Sequence, residues 1–581
     1  MSLHQEKAFE QEICDWLADH GWHYRDERPF DEGYDKATGL FLPDLYGWLY
    51  ETQPEQLAKL LKRGGSAGTP APVENILGEY APVAKRLTDR IVKLLATDPL
   101  IGGGTLNVLK HPVDVTPARF SLFQPKPATD FNPELNARYA ANRLRVMRQV
   151  HYSTKNDNSL DLVLFLNGIP VATIELKTEL TQSLEKGLHQ YAGYRKPIGE
   201  PLLEFGRGAL VHFVITEEFV RMTTKLDSTN TKWLPFDRGR NNGAGNPPIE
   251  GTAPTAFFWQ QILEHDTFLD MIGRFAHYSF PERKTPDGQT QIDRLLLFPR
   301  YHQWRSVTRL EAAALEEGPG HNYLVQHSAG SGKTNSIAWL AHRLFELHRS
   351  DGSKVFDGVI VVSDRRVLDG QLARAVESLQ SKAGTFISIS HEHGSKTPQL
   401  VDALTKGQAI IGVTLQTFPF ALDALRDSPG LASRNYAVIA DDAHSSQSGE
   451  ASKKLREVLG TSAPVDGGEV DTEDFLAAIM AARAEGSHLS FFAFTATPKG
   501  KTLELFGRRD PVTGKPGPFD LYSMKQAIQE GFILDVLKNY LPYELAYELA
   551  LKQGAADGEV DVIRANSTVM RWVRLHPYNI A

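Results

Sequence analysis

The chain has 581 residues, more than one hydrophobic core usually organises, so two or three domains are expected. A net charge of -8, with 41% apolar and 23% charged residues, excludes a uniformly basic coat; any nucleic-acid site must be a local groove. The single cysteine, Cys14, excludes an internal disulfide and cysteine-rich zinc modules. With no apolar signal core near the N-terminus and no apolar run long enough to span a bilayer, this implies a cytoplasmic protein.

In chain order, residues 6–17 place Phe9, Ile13, Trp16 and Leu17 at helical spacing, and Gly21 stops the pattern. Residues 64–72 (GGSAGTPAP) read as a flexible loop. Residues 136–149 carry Arg138, Arg143, Arg145 and Arg148, which suit either a grip on phosphates or the solvated face of a helix. Near Leu160 the period changes to two, with LDLVLFL and VATIEL flanking Asn167-Gly168, the signature of a β-hairpin. Residues 236–254, rich in Gly, Asn and Pro, read as an irregular surface excursion. Beyond Arg294 the short apolar strands YLVQH, VIVVS, AIIGVT, YAVIA and FFAFT alternate with helical stretches, which predicts a parallel sheet covered on both faces. The fold class is therefore α/β.

The hairpin carries Asp161, Glu175 and Lys177. Residues two apart on a strand share a face, so Glu175 and Lys177 project together. Two convergent carboxylates bind Mg²⁺ through oxygen, and a lysine beside them orients or activates the attacking water. A strict two-residue turn at Asn167-Gly168 would set Asp161 opposite Ile174, on the wrong face for Glu175. The chemistry therefore predicts a longer or bulged turn using Ile169 and Pro170, whose missing N–H already disturbs the ladder.

The run SLDLVLFLNGIPVATIELK resembles the nuclease core of the R subunit of type I restriction–modification enzymes. The resemblance implies a restriction-endonuclease-like mixed sheet in which Asp161, Glu175 and Lys177 cut DNA. The downstream Gln190 and Tyr194 match a Gln-x-x-x-Tyr motif that assists. Such folds often add an acid from the first helix, and Glu10 is the candidate third metal ligand.

The segment YLVQHSAGSGKTNSIAWL reads as strand, glycine-rich loop and helix start. Backbone N–H groups of Gly330, Ser331 and Gly332 would cradle phosphates at the helix N-terminus, Lys333 would reach the β- and γ-phosphates, and the Thr334 hydroxyl would bind Mg²⁺. The strict pattern wants glycine at its first position, where His327 stands. Gln303, in FPRYHQW, occupies the place from which related helicases read the adenine of ATP. By resemblance to superfamily 2 motors, Asp441 holds Mg²⁺, Asp442 replaces the glutamate that orients the hydrolytic water, and His444 couples the nucleotide to the rest of the motor. Asp442 is one methylene shorter than that glutamate, which threatens hydrolysis rather than binding. Thr495-Ala496-Thr497 resembles the motif linking ATP state to domain movement. Asp364, Arg365, Arg366, Thr414 and Gln416 resemble contacts to the DNA backbone.

The resulting division is an endonuclease domain over residues 1–275, a first RecA-like ATPase domain over 276–515, and the beginning of a second over 516–581. The resemblance implies an ATP-dependent translocase and Mg²⁺-dependent endonuclease on double-stranded DNA, working with separate methylation and specificity subunits. The chain ends where the family continues, so the reading is of a fragment or a shortened chain. Two rivals remain open: a nucleotide- and DNA-binding scaffold without turnover, and a stand-alone helicase with an inert nuclease domain.

Overall fold

The computed structural model describes residues 2–61, 73–78, 81–177, 184–285, 287–363, 371–379, 384–389, 396–414, 417–418, 421, 429–441, 446–447, 470–471, 488–511 and 513–535. Residues 64–72, Asp364, Arg365, Arg366, Gln416, Asp442 and His444 lie outside them, as does most of the expected second motor lobe. The chain divides into two compact units, Met1–Glu530 and Gly531–Ala581, and both principal sheets belong to the first.

Helix α1 (Ser2–Asp19) buries the stripe Phe9, Ile13, Cys14 and Leu17, as its spacing predicts. The first sheet comprises β1 (Leu144–His151), β2 (Ser159–Leu166), β3 (Ile169–Leu176), β4 (Val211–Ile215), β5 (Val220–Thr223) and β6 (Leu234–Pro235). They lie side by side in that order, antiparallel except for the parallel pair β3 and β4. Helix α2 (Leu184–Tyr194) belongs to the crossover that this parallel pair requires. β3 is buried along its whole length, which explains its nearly unbroken apolar sequence.

The β2–β3 turn has two residues, Asn167 and Gly168, both with positive φ (50° and 78°), as a type I′ hairpin needs. Leu166 pairs with Ile169 and Phe165 with Pro170, but Leu164 pairs with Ala172, so Val171 is an extra residue. The expected bulge is present, just past Pro170 rather than in the turn. Leu162 then faces Ile174, and the next step sets Asp161 across from Glu175.

The arginine-bearing segment departs from its expected form. Only Arg138 lies on a helix, Pro133–Ala140, whereas Arg145 and Arg148 lie on β1 and Arg143 just precedes it. Arg145 pairs with Asp44 at 2.6 Å, Arg143 with Glu51 at 3.2 Å and Arg148 with Glu10 at 2.6 Å. These three are neither a solvated helix face nor open phosphate grips.

The second sheet is wholly parallel. Its strands are β7 (Asn322–His327), β8 (Gly358–Ser363), β9 (Phe386–Ser388), β10 (Ile410–Thr414), β11 (Tyr436–Asp441), β12 (Leu489–Thr495) and β13 (Asp520–Tyr522), in the order β9-β10-β8-β11-β12-β7-β13. β13 lies past the expected division at 515, yet pairs with β7. Helix α3 (Tyr301–Glu317) precedes β7 and helix α4 (Lys333–Glu346) follows it.

The two sheets share one apolar cluster, reaching from Phe9 to Phe494. Trp339 of α4 donates its indole N–H to the Phe275 carbonyl at 2.8 Å, and Arg343 spans Asp270 at 2.9 Å and Glu311 at 2.5 Å. Residues 236–254 are irregular, but not simply a surface excursion: Phe236, Asp237 and Asn246 are buried. The Ala244 N–H donates to Gln529 Oε1 at 2.8 Å, tying this stretch to α5 (Met524–Gln529) just after β13.

Candidate functional site

The hairpin and α1 bring a charged cluster together at one end of the first sheet. Asp161 Oδ2 accepts the Leu176 N–H at 2.7 Å, and its Oδ1 accepts from Gln149 Nε2 at 3.3 Å. Glu175 Oε1 receives Lys177 Nζ at 3.0 Å and Arg195 Nη2 at 3.3 Å. Lys177 also lies 3.8 Å from Glu6. Glu10 accepts from Arg148 through Oε1 and, at 2.8 Å, from Gln149 Nε2 through Oε2.

Burial first, and then the neighbouring Glu175, push the Asp161 carboxyl up to about 8. Burial opposes the Lys177 ammonium, but Glu175 and Asp161 outweigh it and hold its pKa above the ordinary value. Glu6 is raised as well, by burial, against the pull of Lys177. Buried carboxylates so close together repel, and a cation between them would relieve that cost. Among the described residues no three His, Cys, Asp or Glu side chains gather closely enough to enclose a metal by themselves. A Mg²⁺ ion keeps several waters and takes one or two carboxylates plus substrate phosphate, so Asp161 and Glu175 fit it.

Asp161, Glu175 and Lys177 thus converge, and Glu10 joins them through Gln149. Tyr194 is 66% exposed, whereas Tyr191 on the same helix is buried and its hydroxyl meets Thr173 Oγ1 at 3.2 Å. Gln190 is on α2, but its side chain is outside the described residues. Sequence reading missed Glu6, Gln149 and Arg195. Glu6 had a signal, since it stands one helical turn before Glu10. Arg195 follows Tyr194 directly and is four residues from Tyr191, over whose ring it lies at 5.9 Å.

The nucleotide loop joins β7 to α4 at the carboxyl edge of the parallel sheet, where such sheets bind ligands. Gly330 and Gly332 have φ of 71° and 80°, and a Cβ on Gly332 would run into the Gln303 amide. Lys333 Nζ lies 3.4 Å from the His327 carbonyl, and Thr334 follows in the first turn of α4. Ser331 is buried. Arg300 donates to the Gly330 and Ser331 carbonyls at 3.2 and 2.7 Å, and His302 Nε2 donates to that of Ser331 at 2.9 Å. Gln303, expected to offer its edge to adenine, is buried and turned to the loop. It accepts the Arg300 N–H at 2.9 Å and donates to the Gly332 carbonyl at 3.1 Å. Carbonyls held from behind leave the loop in a fixed shape before a phosphate arrives.

His327 is buried and bonds Asp520 of β13 at 2.9 Å. Burial would raise the Asp520 carboxyl, but His327 and Arg305 outweigh it and hold it well below the usual carboxylate range. The residue at the glycine position therefore ties the loop strand to β13. Asp441 ends β11 beside Ser363, Thr495 ends β12 beside Gln326, and Thr414 ends β10, so these motifs share the carboxyl edge with the loop.

Residues 123–231 match the family model for the type I restriction enzyme R protein N terminus, and residues 302–466 match the SWI2/SNF2 ATPase model. The chain is 23% identical over 419 residues to the type I restriction enzyme HindI endonuclease subunit of Haemophilus influenzae, covering 69% of this chain and 35% of that protein. The chain is thus similar to R subunits of type I restriction enzymes. A second relative, the type I restriction enzyme SauCOLORF180P endonuclease subunit of Staphylococcus aureus (strain COL), is 22% identical over 69% of this chain and 37% of its own length. The chain thus spans about a third of the length of these curated relatives. A solved HsdR fragment from Vibrio vulnificus YJ016 covers 65% of this chain and 52% of that one at 15% identity, with a TM-score of 0.25, too low to bear on the fold. Among the described residues no helix is long and apolar enough to cross a membrane.

Proposed function

We propose that this chain is the nuclease and motor portion of a type I restriction enzyme: a cytoplasmic subunit that uses ATP to translocate double-stranded DNA and cuts it in a Mg²⁺-dependent step. Separate methylation and specificity subunits would choose the DNA. The domain division at 275 belongs to this reading, with the first motor sheet running on through β13 rather than stopping at 515. The observation that carries it is a converging Asp161–Glu175–Lys177 set and a preformed phosphate loop in one compact unit.

In this reading Asp161 and Glu175 hold the magnesium, with Glu10 at its margin. Bound there, the ion would offset charge on the scissile phosphate and lower the pKa of water. Lys177 Nζ, held by Glu175, donates to the attacking water or a phosphate oxygen, and Arg195 holds Glu175 in place. Gln190 and Tyr194 would steady DNA beside them. In the motor, Gly330, Ser331 and Gly332 receive the phosphates, Lys333 meets the β/γ oxygens, and Thr334 and Asp441 hold the second magnesium. Asp442 and His444 carry the hydrolytic and coupling roles, and Gln303 fixes the loop on which adenine recognition depends.

The test is ATP-dependent cleavage of unmodified plasmid, measured with methylation and specificity partners present. Lys177→Ala should lose cleavage and keep ATP turnover, while Lys333→Ala should lose both. A Lys177→Ala chain that still cuts would sink the nuclease assignment.

A further inference from the structure

β1 and β2 are paired on both sides of one break. Arg148 faces Leu162 and Val150 faces Leu160, which leaves Gln149 across from Asp161 without a ladder pairing. At that break Gln149 adopts φ of 48°, in the left-handed region that a residue with a Cβ seldom takes within a strand. The turn carries its amide between two carboxylates, donating to Glu10 Oε2 at 2.8 Å and to Asp161 Oδ1 at 3.3 Å.

A neutral amide bridging two acids stands where a cation would be favoured. Asp161 and Glu175 supply two protein oxygens, and among the described residues no third acid or imidazole closes the set. The Gln149 amide carries a third oxygen on the same rotor as the bridging nitrogen. Torsions of this terminal type are soft and roughly two-fold, so turning the amide exchanges nitrogen for oxygen at small cost.

We propose that Gln149 belongs to the metal centre. Before the cation binds, its amide nitrogen holds Glu10 and Asp161 in place. When the cation enters, the amide turns and its oxygen joins Asp161 and Glu175 as a ligand. The inference rests on the reading of this cluster as a metal-dependent nuclease centre, and it adds a residue outside the Asp…Glu-x-Lys pattern.

Calorimetric titration of the full 581-residue chain with Mn²⁺ tests it without relying on cleavage. Gln149→Gly should bind Mn²⁺ about 10–100-fold more weakly, the usual loss for a residue of a metal centre. Glycine takes the positive φ without strain, so the backbone keeps its course and the loss reports on the side chain. Gln149→Glu, which keeps an oxygen at the same reach, should bind at least as tightly as the parent. Parent-like binding by Gln149→Gly, or a tenfold loss in Gln149→Glu, overturns the ligand role. Glu175→Gln separates the two layers. If it too binds like the parent, the metal reading falls and Gln149 with it; if it binds weakly while Gln149→Gly does not, only the role of Gln149 falls.

Discussion

The two centres are prepared for their ligands in opposite ways. Around Asp161 the preparation lies in side chains, with buried carboxylates, a lysine and two arginines set against one another at short range. Around Lys333 it lies in the backbone, whose carbonyls are drawn back by Arg300, His302 and Gln303 while two glycines hold positive φ. A centre of opposed charges is sensitive to the loss of a functional group. A centre of fixed amides is sensitive to the gain of a methyl.

The sharpest way to break this comparison is the reciprocal lysine pair. Lys177→Ala should cut cleavage by about 10²–10⁴-fold with ATPase retained, and Lys333→Ala should cut ATPase on a similar scale. A Lys177→Ala chain that lost ATPase as far as it lost cleavage would mean that the centres are not separable. Next, Arg195→Leu should lower cleavage by about 10–100-fold, because Glu175 loses one of its cationic partners, with ATP binding unchanged by fluorescent-nucleotide titration.

A pH series probes the first sheet alone. Burial pushes His212 down to about 3, against an ordinary value of 6.5. Its neutral form is favoured in the fold, so stability is full above the unfolded pKa and is lost as pH falls below 6.5. At pH 5 the loss should be about 2 kcal/mol, and His212→Gln should flatten chemical-denaturation midpoints between pH 7 and 5. Midpoints just as steep in that variant would assign the slope elsewhere, for instance to His302, which burial also lowers. Smallest is Gly332→Ala, where a left-handed backbone and the Gln303 amide oppose the methyl by about 1–2 kcal/mol. ATP affinity should drop roughly tenfold, and cleavage should recover at saturating ATP.

How much the sequence disclosed depends on how local the physics is. The bulge after Pro170 came from needing Asp161 and Glu175 on one face, because strand period is two and a one-residue slip moves every side chain. The parallel sheet came from strand–helix alternation, and the loop at 330–334 from its glycines. The partners of Arg143, Arg145 and Arg148 did not, since Glu51, Asp44 and Glu10 come from roughly a hundred residues upstream or more. Gln149 gave no sign because glutamine seldom marks a positive φ, and the ladder break that imposes it depends on β2. Gln303 was placed in the right neighbourhood, and its bonds to the Arg300 N–H and the Gly332 carbonyl were not foreseen.

The shared apolar core has a consequence for how this chain can change. Phe275, at the end of the segment that follows the first sheet, and Trp339, on the helix behind the glycine-rich loop, set their ring centroids 5.4 Å apart. A smaller ring on either side leaves a void that its neighbour across the seam must fill. Divergence on one side is therefore constrained by the other, and a first-sheet half grafted from a distant relative would meet a second-sheet half shaped for a different surface. Chimaeras joined in the 275–301 stretch should melt lower than either parent unless both faces of the seam are exchanged together, because each mismatched contact there costs about what a core cavity costs.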